Sequence, residues 1–304
     1  MVGARMRAIQ FTQYGGPEVL TLVTDAPEPS AGAGQIRIRV HATAVNPFDY
    51  KVRSGMMAAG KELAGPVVLG LEASGVVDEV GEGVDGVSVG DAVFGLGSAT
   101  YADYAVLRAW APKPERLSFA EAVALANGGE TALRVLGLLA LEPGQVLLVH
   151  GAAGGVGQAI VGLGVAAGLR VIGTASEANH DLMRELGAEP LTYGEDLVSR
   201  VGQLTDDVDG IVDAAGSQLA ELLAIAGSPD RIVTIANYAA RDAGVRFSGG
   251  GADARAALSR VSELAAEGKF AVRIAQAFDL TDAATAHRLS ESRRASGKII
   301  LTLT

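Results

Sequence analysis

The chain has 304 residues, enough for two hydrophobic cores, and its 49% apolar and 20% charged content is that of a folding protein. A formal charge of −10 opposes binding to nucleic acid phosphates or to anionic lipid. There is no cysteine, which excludes disulfides, thiolate nucleophiles and cysteine-ligated zinc. This composition suits a cytoplasmic enzyme.

In chain order, Met1-Val2-Gly3-Ala4-Arg5-Met6 leads straight into an amphipathic strand, with no apolar signal segment. Residues 7–111 carry strand and turn signals: Ile36-Arg37-Ile38-Arg39-Val40 alternates with period two, and glycines punctuate residues 81–91. From about Ser118 the texture changes. Residues 119–139 read as helix, 146–150 as a fully apolar strand and 158–168 as helix. Apolar strands are expected at 171–174, 210–214 and 231–236, with helix-like stretches between them. Such alternation means βαβ units around a parallel sheet. The tail adds a helix-like segment at 282–291 and a last strand at 298–303. Residues 146–169 carry no charge apart from His150 and are long enough to span a membrane. Their clustered glycines would each cost a continuous helix about 1 kcal/mol, so strand, loop and helix is the better reading.

That loop, His150-Gly151-Ala152-Ala153-Gly154-Gly155-Val156-Gly157, stands where a dinucleotide pyrophosphate rests on backbone N–H groups at the positive end of a helix. Gly151, Ala153, Gly154, Gly155, Val156 and Gly157 are the candidate contacts. The spacing departs from G-x-G-x-x-G, and the competing reading is a glycine-rich turn that packs helix on strand. The next strand ends Gly173-Thr174-Ala175-Ser176, with no acid until Glu177. An NAD site commonly places Asp or Glu there for the ribose 2′-OH. The hydroxyls of Thr174 and Ser176, with Tyr193 closing over the adenosine, suit a 2′-phosphate and favour NADPH. Ordinary helix capping by Ser176 is the alternative.

Several segments, in order and spacing, make the chain resemble a zinc-free medium-chain dehydrogenase/reductase of the quinone oxidoreductase and ζ-crystallin group. They are Met6-Arg7-Ala8-Ile9 with Tyr14-Gly15-Gly16-Pro17-Glu18-Val19-Leu20, Asn46-Pro47-Phe48-Asp49-Tyr50-Lys51-Val52-Arg53, and Gly70-Leu71-Glu72-Ala73-Ser74-Gly75. Thr100-Tyr101-Ala102-Asp103-Tyr104, the glycine loop and the closing Gly297-Lys298-Ile299-Ile300-Leu301 complete the set. The resemblance implies an α/β chain with a GroES-like β domain over 1–118 and 269–304. A doubly wound parallel-sheet Rossmann domain would occupy 119–268. It also implies a homodimer that binds NADPH and a small-molecule substrate.

In the zinc-containing relatives a cysteine stands at Asn46 and a histidine at Leu71, and the four histidines here offer no close pair of ligands. No metal is therefore expected. Without a Lewis acid, hydride transfer should be confined to conjugated electrophiles, namely quinones and α,β-unsaturated carbonyl compounds. Lys51 occupies a slot where many ζ-crystallin-like members carry tyrosine, which brings this chain closer to enone and alkenal reductases. Asn46 and Lys51 are the candidate donors to the substrate oxygen and Tyr50 the candidate proton donor. Asn46 also reads as a turn residue before Pro47, and Lys51 as a solvated lysine. Thr131, Ala236, Asn237, Phe247, Ser248 and Gly249 should line the nicotinamide half, while Glu72 should order the β domain. Asn179 replaces a basic residue often found after the second Rossmann strand; His180 or Arg184 would substitute. An NADPH-binding sensor or structural protein with little turnover is the alternative function.

Overall fold

Strict alternation in residues 36–40 makes one strand face a core: Ile36, Ile38 and Val40 are buried, while Arg37 and Arg39 point outward. The structure, a computed structural model, describes residues 4–251 and 253–303; Met1-Val2-Gly3 lie outside the described residues. Its elements run β1 (Arg5–Phe11), β2 (Thr21–Pro27), β3 (Ile36–Val45), α1 (Pro47–Arg53), β4 (Val67–Val68), β5 (Glu72–Val80), β6 (Ala92–Ser98) and β7 (Tyr104–Pro112). There follow α2 (Phe119–Leu139), β8 (Val146–His150), α3 (Gly155–Ala166), β9 (Arg170–Thr174), α4 (His180–Glu185), β10 (Glu189–Leu191), α5 (Leu197–Gly202) and β11 (Gly210–Asp213). The chain continues through α6 (Leu219–Ala226), β12 (Ile232–Thr234), β13 (Arg246–Phe247), α7 (Ala254–Ala266), β14 (Ile274–Asp279), α8 (Ala283–Glu291) and β15 (Lys298–Thr302).

One compact unit runs to Asn127 and takes in Ala254–Glu267 and the residues from Arg273 onward. Its main sheet has the order β14-β15-β3-β5-β6-β7, and β3 pairs also with β7, so four of its strands close on themselves. Ile36, Ile38, Val77, Val93, Leu107 and Trp110 fill the closed part. β1, β2 and β4 form a separate three-stranded sheet. The strand β15 enters antiparallel to β3, with Ile299 opposite Val45 and Thr302 opposite Ala42, so residues near the end of the chain complete a sheet begun near residue 36. Helix α7 belongs to this unit: Arg255 stacks on Trp110 at 3.7 Å and Ser262 Oγ donates to Pro112 O.

The other unit comprises Gly128–Asp253 with Gly268–Val272. Its six strands are all parallel, in the order β10-β9-β8-β11-β12-β13. Renumbered from its first strand this is 3-2-1-4-5-6, the doubly wound order, whose ligand crevice opens at the carboxyl ends where the winding reverses between β8 and β11. Leu148, Ile172, Ile211 and Ile232 are fully buried, as expected for central strands covered on both faces, and Leu197, Val201 and Leu222 of the covering helices pack with them. The apolar stretch 146–169 is strand, loop and helix. Among the described residues no helix is long and apolar enough to cross a membrane.

Candidate functional site

The strand register sets one row of residues across the carboxyl edge of the parallel sheet. Thr174 is level with His150, His150 with Asp213, Asp213 with Thr234, and Thr234 with Phe247. The glycine loop starts at this row. Gly151 takes φ +86°, in the left-handed region, and its N–H donates to Thr174 Oγ1 at 3.0 Å. That hydroxyl lies 2.9 Å from His150 Nδ1, and His150 Nε2 lies 3.1 Å from Ser217 Oγ. The Thr174 hydroxyl hydrogen has no other acceptor among the described residues, so it goes to Nδ1 and the imidazole carries its proton on Nε2. Burial holds the His150 pKa below its ordinary value and keeps the ring neutral. Thr174 is fully buried. It therefore braces the loop from behind, and of the two hydroxyls expected to meet a 2′-phosphate only Ser176 is partly exposed.

At the far end of the loop, Gly154 caps α3 with no side chain bonded to the helix end. The first N–H groups of an α-helix have no internal acceptor, so Gly155, Val156 and Gly157 present theirs to an incoming anion, with the helix dipole behind them. Glycine is required at 157 by close approach: an added Cβ would overlap Gly151 O and stand 2.8 Å from Ala152 Cα. Gln158, buried beneath, ties its side-chain amide to Ala153 O at 2.8 Å. Ser176 Oγ accepts from Asn179 Nδ2 at 3.0 Å, and Tyr193 is half exposed. Arg184 is engaged by Asp181, and His180 Nε2 lies 3.4 Å from Thr192 Oγ1.

On the other side of the row, Asp213 gathers the strand ends. Its Oδ1 accepts from Ala215 N and Gly216 N, its Oδ2 from Thr234 Oγ1, and Thr234 Oγ1 accepts from Ala236 N and Asn237 N. Arg134, paired with Glu130, bonds both Thr131 Oγ1, at 3.2 Å, and Ser248 Oγ. Thr131 and Ser248, expected along the nicotinamide half, are thus brought together within this unit. Phe247 stands next to Ser248 on β13, and Gly249 is exposed.

The first unit holds the second group of candidates. Asn46 follows β3 and caps α1, where Pro47 supplies a fixed φ. Its backbone N–H donates to Asp49 Oδ2 at 2.7 Å. Its side chain is nearly buried, with Nδ2 donating to Glu72 Oε1 at 2.9 Å and Oδ1 accepting from Lys298 Nζ at 2.8 Å. Lys298 Nζ also pairs with Glu72 Oε1 at 2.5 Å, and Asn127 N donates to Glu72 Oε2 at 2.6 Å. Tyr50 is buried and Lys51 half-buried; neither side chain has a hydrogen-bond partner among the described residues.

Residues 32–114 match the alcohol dehydrogenase GroES-like domain, and residues 186–301 match the zinc-binding dehydrogenase domain. The quinone oxidoreductase of Mus musculus is 35% identical over 76% of this chain and 73% of that protein. The 2-methylene-furan-3-one reductase of Solanum lycopersicum is 33% identical over 71% of this chain and 58% of its own length. The solved structure of the quinone oxidoreductase from Coxiella burnetii superposes with a TM-score of 0.87 at 32% identity, covering 99% of this chain and 100% of that one. A mycobacterial protein complexed with NADPH superposes with a TM-score of 0.86 at 28% identity, covering 98% and 100%. The chain belongs to the medium-chain dehydrogenase/reductase family. Its two units are the GroES-like and Rossmann domains of that family, and it is an oxidoreductase that works with a nicotinamide cofactor.

Around Asn46 and Leu71, the positions for which the resemblance implied ligands in zinc-containing relatives, the groups are committed to one another. An ammonium sits on Glu72, Asn46 offers its amide oxygen to that ammonium, and Leu71 has no donor atom. Such a set does not fit a zinc ion, which needs three or four N, S or carboxylate ligands free of a competing cation.

Beside this cluster a chain of buried groups sets the protonation of α1. Arg53 Nη1 faces His287 Nδ1 at 3.4 Å, His287 Nε2 lies 3.3 Å from Tyr101 OH, and Tyr101 OH is 3.1 Å from Asp49 Oδ2. Arginine can only donate, so Nδ1 accepts, Nε2–H donates to the phenol oxygen and the phenol donates to Asp49. Burial, with Arg53 adding to it, lowers the His287 pKa to about 3. Burial raises the Asp49 pKa to about 6 against the hydrogen bonds from Asn46 and Tyr101, and Asp49 Oδ1 has no partner among the described residues. Arg53 is closed off by Glu291, which reaches solvent. Sequence reasoning singled out neither Asp49 nor Lys298 as site residues, and it missed Arg134 and Asp213. Only Asp213 had a local signal, an acid ending an apolar strand.

Proposed function

We propose that this chain is an NADPH-dependent, metal-free reductase of quinones or α,β-unsaturated carbonyl compounds. The observation that carries the reading is the pairing of two features in a member of this family: an uncapped, glycine-lined helix start, and a buried amide donor set where zinc relatives hold a metal. When bound, the reduced nicotinamide supplies the hydride. The N–H groups of Gly155, Val156 and Gly157 hold the pyrophosphate, and Gly151, Ala153 and Gly154 shape the approach. Ser176, Asn179 and Tyr193 receive the 2′-phosphoribose, supported by the lack of an acid at the end of β9. Thr131, Ala236, Asn237, Phe247, Ser248 and Gly249 take the nicotinamide half, with Arg134 and Asp213 fixing their positions.

The substrate must bring its own activation. Negative charge grows on its oxygen as the hydride arrives, and Asn46 and Lys51 stabilise that charge by hydrogen bonding, Tyr50 being the proton donor. Conjugated carbonyl compounds and quinones meet that condition, and the names of the mouse and tomato relatives support both classes. We further infer a cytoplasmic homodimer, in keeping with the family resemblance. The test is loss of NADPH absorbance on adding a simple quinone and, separately, an alkenal. Turnover of either supports the reading. Tight NADPH binding with neither substrate reduced would favour a sensor or structural role instead.

A further inference from the structure

The Asn46 amide stands between one neighbour that only donates and another that only accepts. A lysine ammonium has three N–H donors and no acceptor, while a carboxylate accepts without donating. Oδ1 must therefore face Lys298, at 2.8 Å, and Nδ2 must face Glu72, at 2.9 Å. A flipped amide would set its hydrogens against the ammonium and its oxygen against the carboxylate. The lock is itself anchored. Asn127 N holds the second oxygen of Glu72, and the β15–β3 register brings Lys298, next to Ile299, against the residue that follows Val45. An amide nitrogen carries two hydrogens. Glu72 takes one, and the other has no acceptor among the described residues.

We propose that Lys298 is a positioning residue of this reductase: together with Glu72 it fixes the Asn46 amide in one orientation, so that the remaining Nδ2–H is the donor offered to the substrate oxygen. This rests on the reading that Asn46 receives that oxygen. Lys298 does not touch the substrate in this scheme. Its ammonium holds the amide oxygen on its own side, so that the free N–H of Nδ2 lies on the other, and a flipped amide would put an oxygen there that repels developing negative charge.

The experiment compares the wild type, Asn46→Ala and the double variant Glu72→Gln/Lys298→Met, which removes both charges together and so leaves no uncompensated buried carboxylate. Two readouts are taken: hydrogen exchange of the Asn46 side-chain amide by NMR on 15N-asparagine-labelled protein, and steady-state kinetics with a conjugated ketone alongside the NADPH Kd. In the wild type the two amide hydrogens should give separate, slowly exchanging signals. In the double variant exchange should quicken at least ten-fold, and kcat/KM should fall at least ten-fold with the Kd unchanged within two-fold. The triple variant carrying Asn46→Ala as well should lose in total little more than Asn46→Ala alone loses, because residues acting through one group do not add. Wild-type kcat/KM in the double variant would reduce Lys298 to a counter-ion for Glu72 and overturn the proposal. Fast, averaged amide signals in the wild type would overturn it without any variant. If the wild type reduces neither quinone nor enone, the functional reading fails, and the exchange data still decide whether the lock exists.

Discussion

Asn46 commits its amide oxygen and one amide hydrogen to charged neighbours, and such an arrangement is costly unless something uses the hydrogen that is left. Removing a donor from a water-poor oxyanion site commonly costs about 2.7 to 4 kcal/mol, or roughly 10² to 10³ in kcat. Asn46→Ala should lose that much kcat with a conjugated ketone while leaving the NADPH Kd unchanged. Lys51→Met should lose about ten-fold, since Lys51 is half-buried without a fixed partner and water replaces part of its effect. Wild-type kcat/KM in both variants would mean that other groups meet the oxygen. Two titrating residues nearby act on stability with opposite sign. The folded pKa of His287, about 3, is below the ordinary 6.5, so its contribution is whole above pH 6.5 and is lost as pH falls toward 3. The folded pKa of Asp49, about 6, is above the ordinary 3.8, so its contribution is whole below pH 3.8 and is lost as pH rises through 6. Between about pH 4 and 6 the two slopes cancel. Asp49→Asn should therefore lose stability relative to the wild type by about 1.4 kcal/mol for each unit of acidification in that window, and His287→Gln should gain by a similar amount. Urea midpoints at pH 6, 5 and 4 check both signs.

Among the elements, the glycine loop leaves least room for change. Gly157→Ala would drive a methyl into Gly151 O and Ala152, backbone that cannot rotate away. The loop must open, and the N–H groups it aims must lose their alignment. We expect at least a ten-fold rise in the NADPH Kd by fluorescence titration, with a lowered Tm. Gly137→Ala, at a helix position with open space around the added carbon, should leave the Kd unchanged and raise the Tm slightly, and serves as the control for the direction of both changes. The loop was legible in the sequence because everything that makes it is local: an apolar strand, clustered glycines and an apolar helix within 24 residues. The βαβ alternation was legible for the same reason. The Asn46–Glu72–Lys298 cluster was not, since Lys298 lies 252 positions from Asn46 and meets it only through the register of β15 on β3. Thr174 was expected to face a 2′-phosphate, and its burial behind the loop was not legible, because strand periodicity does not tell which hydroxyl at a strand end turns inward.

At the scale of the whole molecule, cofactor choice and metal content are the properties to measure. NADPH should bind at least ten-fold more tightly than NADH, a difference of about 1.4 kcal/mol and modest for charge-assisted hydrogen bonds to a phosphate. Equal dissociation constants would remove the 2′-phosphate assignment. Elemental analysis of active protein should find no stoichiometric zinc, and chelators should leave activity intact. Chelation that abolished turnover would mean that the groups around Glu72 had been misread.

The place of β15 has a consequence for how the molecule is made. Glu72 and Asn46 are synthesised early, more than two hundred residues before the cation that neutralises them. Until Lys298–Thr302 leaves the ribosome, the Ala42–Val45 stretch of β3 has one unsatisfied edge and the sheet holds an acid with no counter-charge. The Rossmann unit, with its strands contiguous in the chain, is free to fold in the meantime. The unit begun before the Rossmann strands must therefore be completed after them, so the nascent chain carries an open strand edge through more than two hundred residues of synthesis, where pairing with another chain is the hazard.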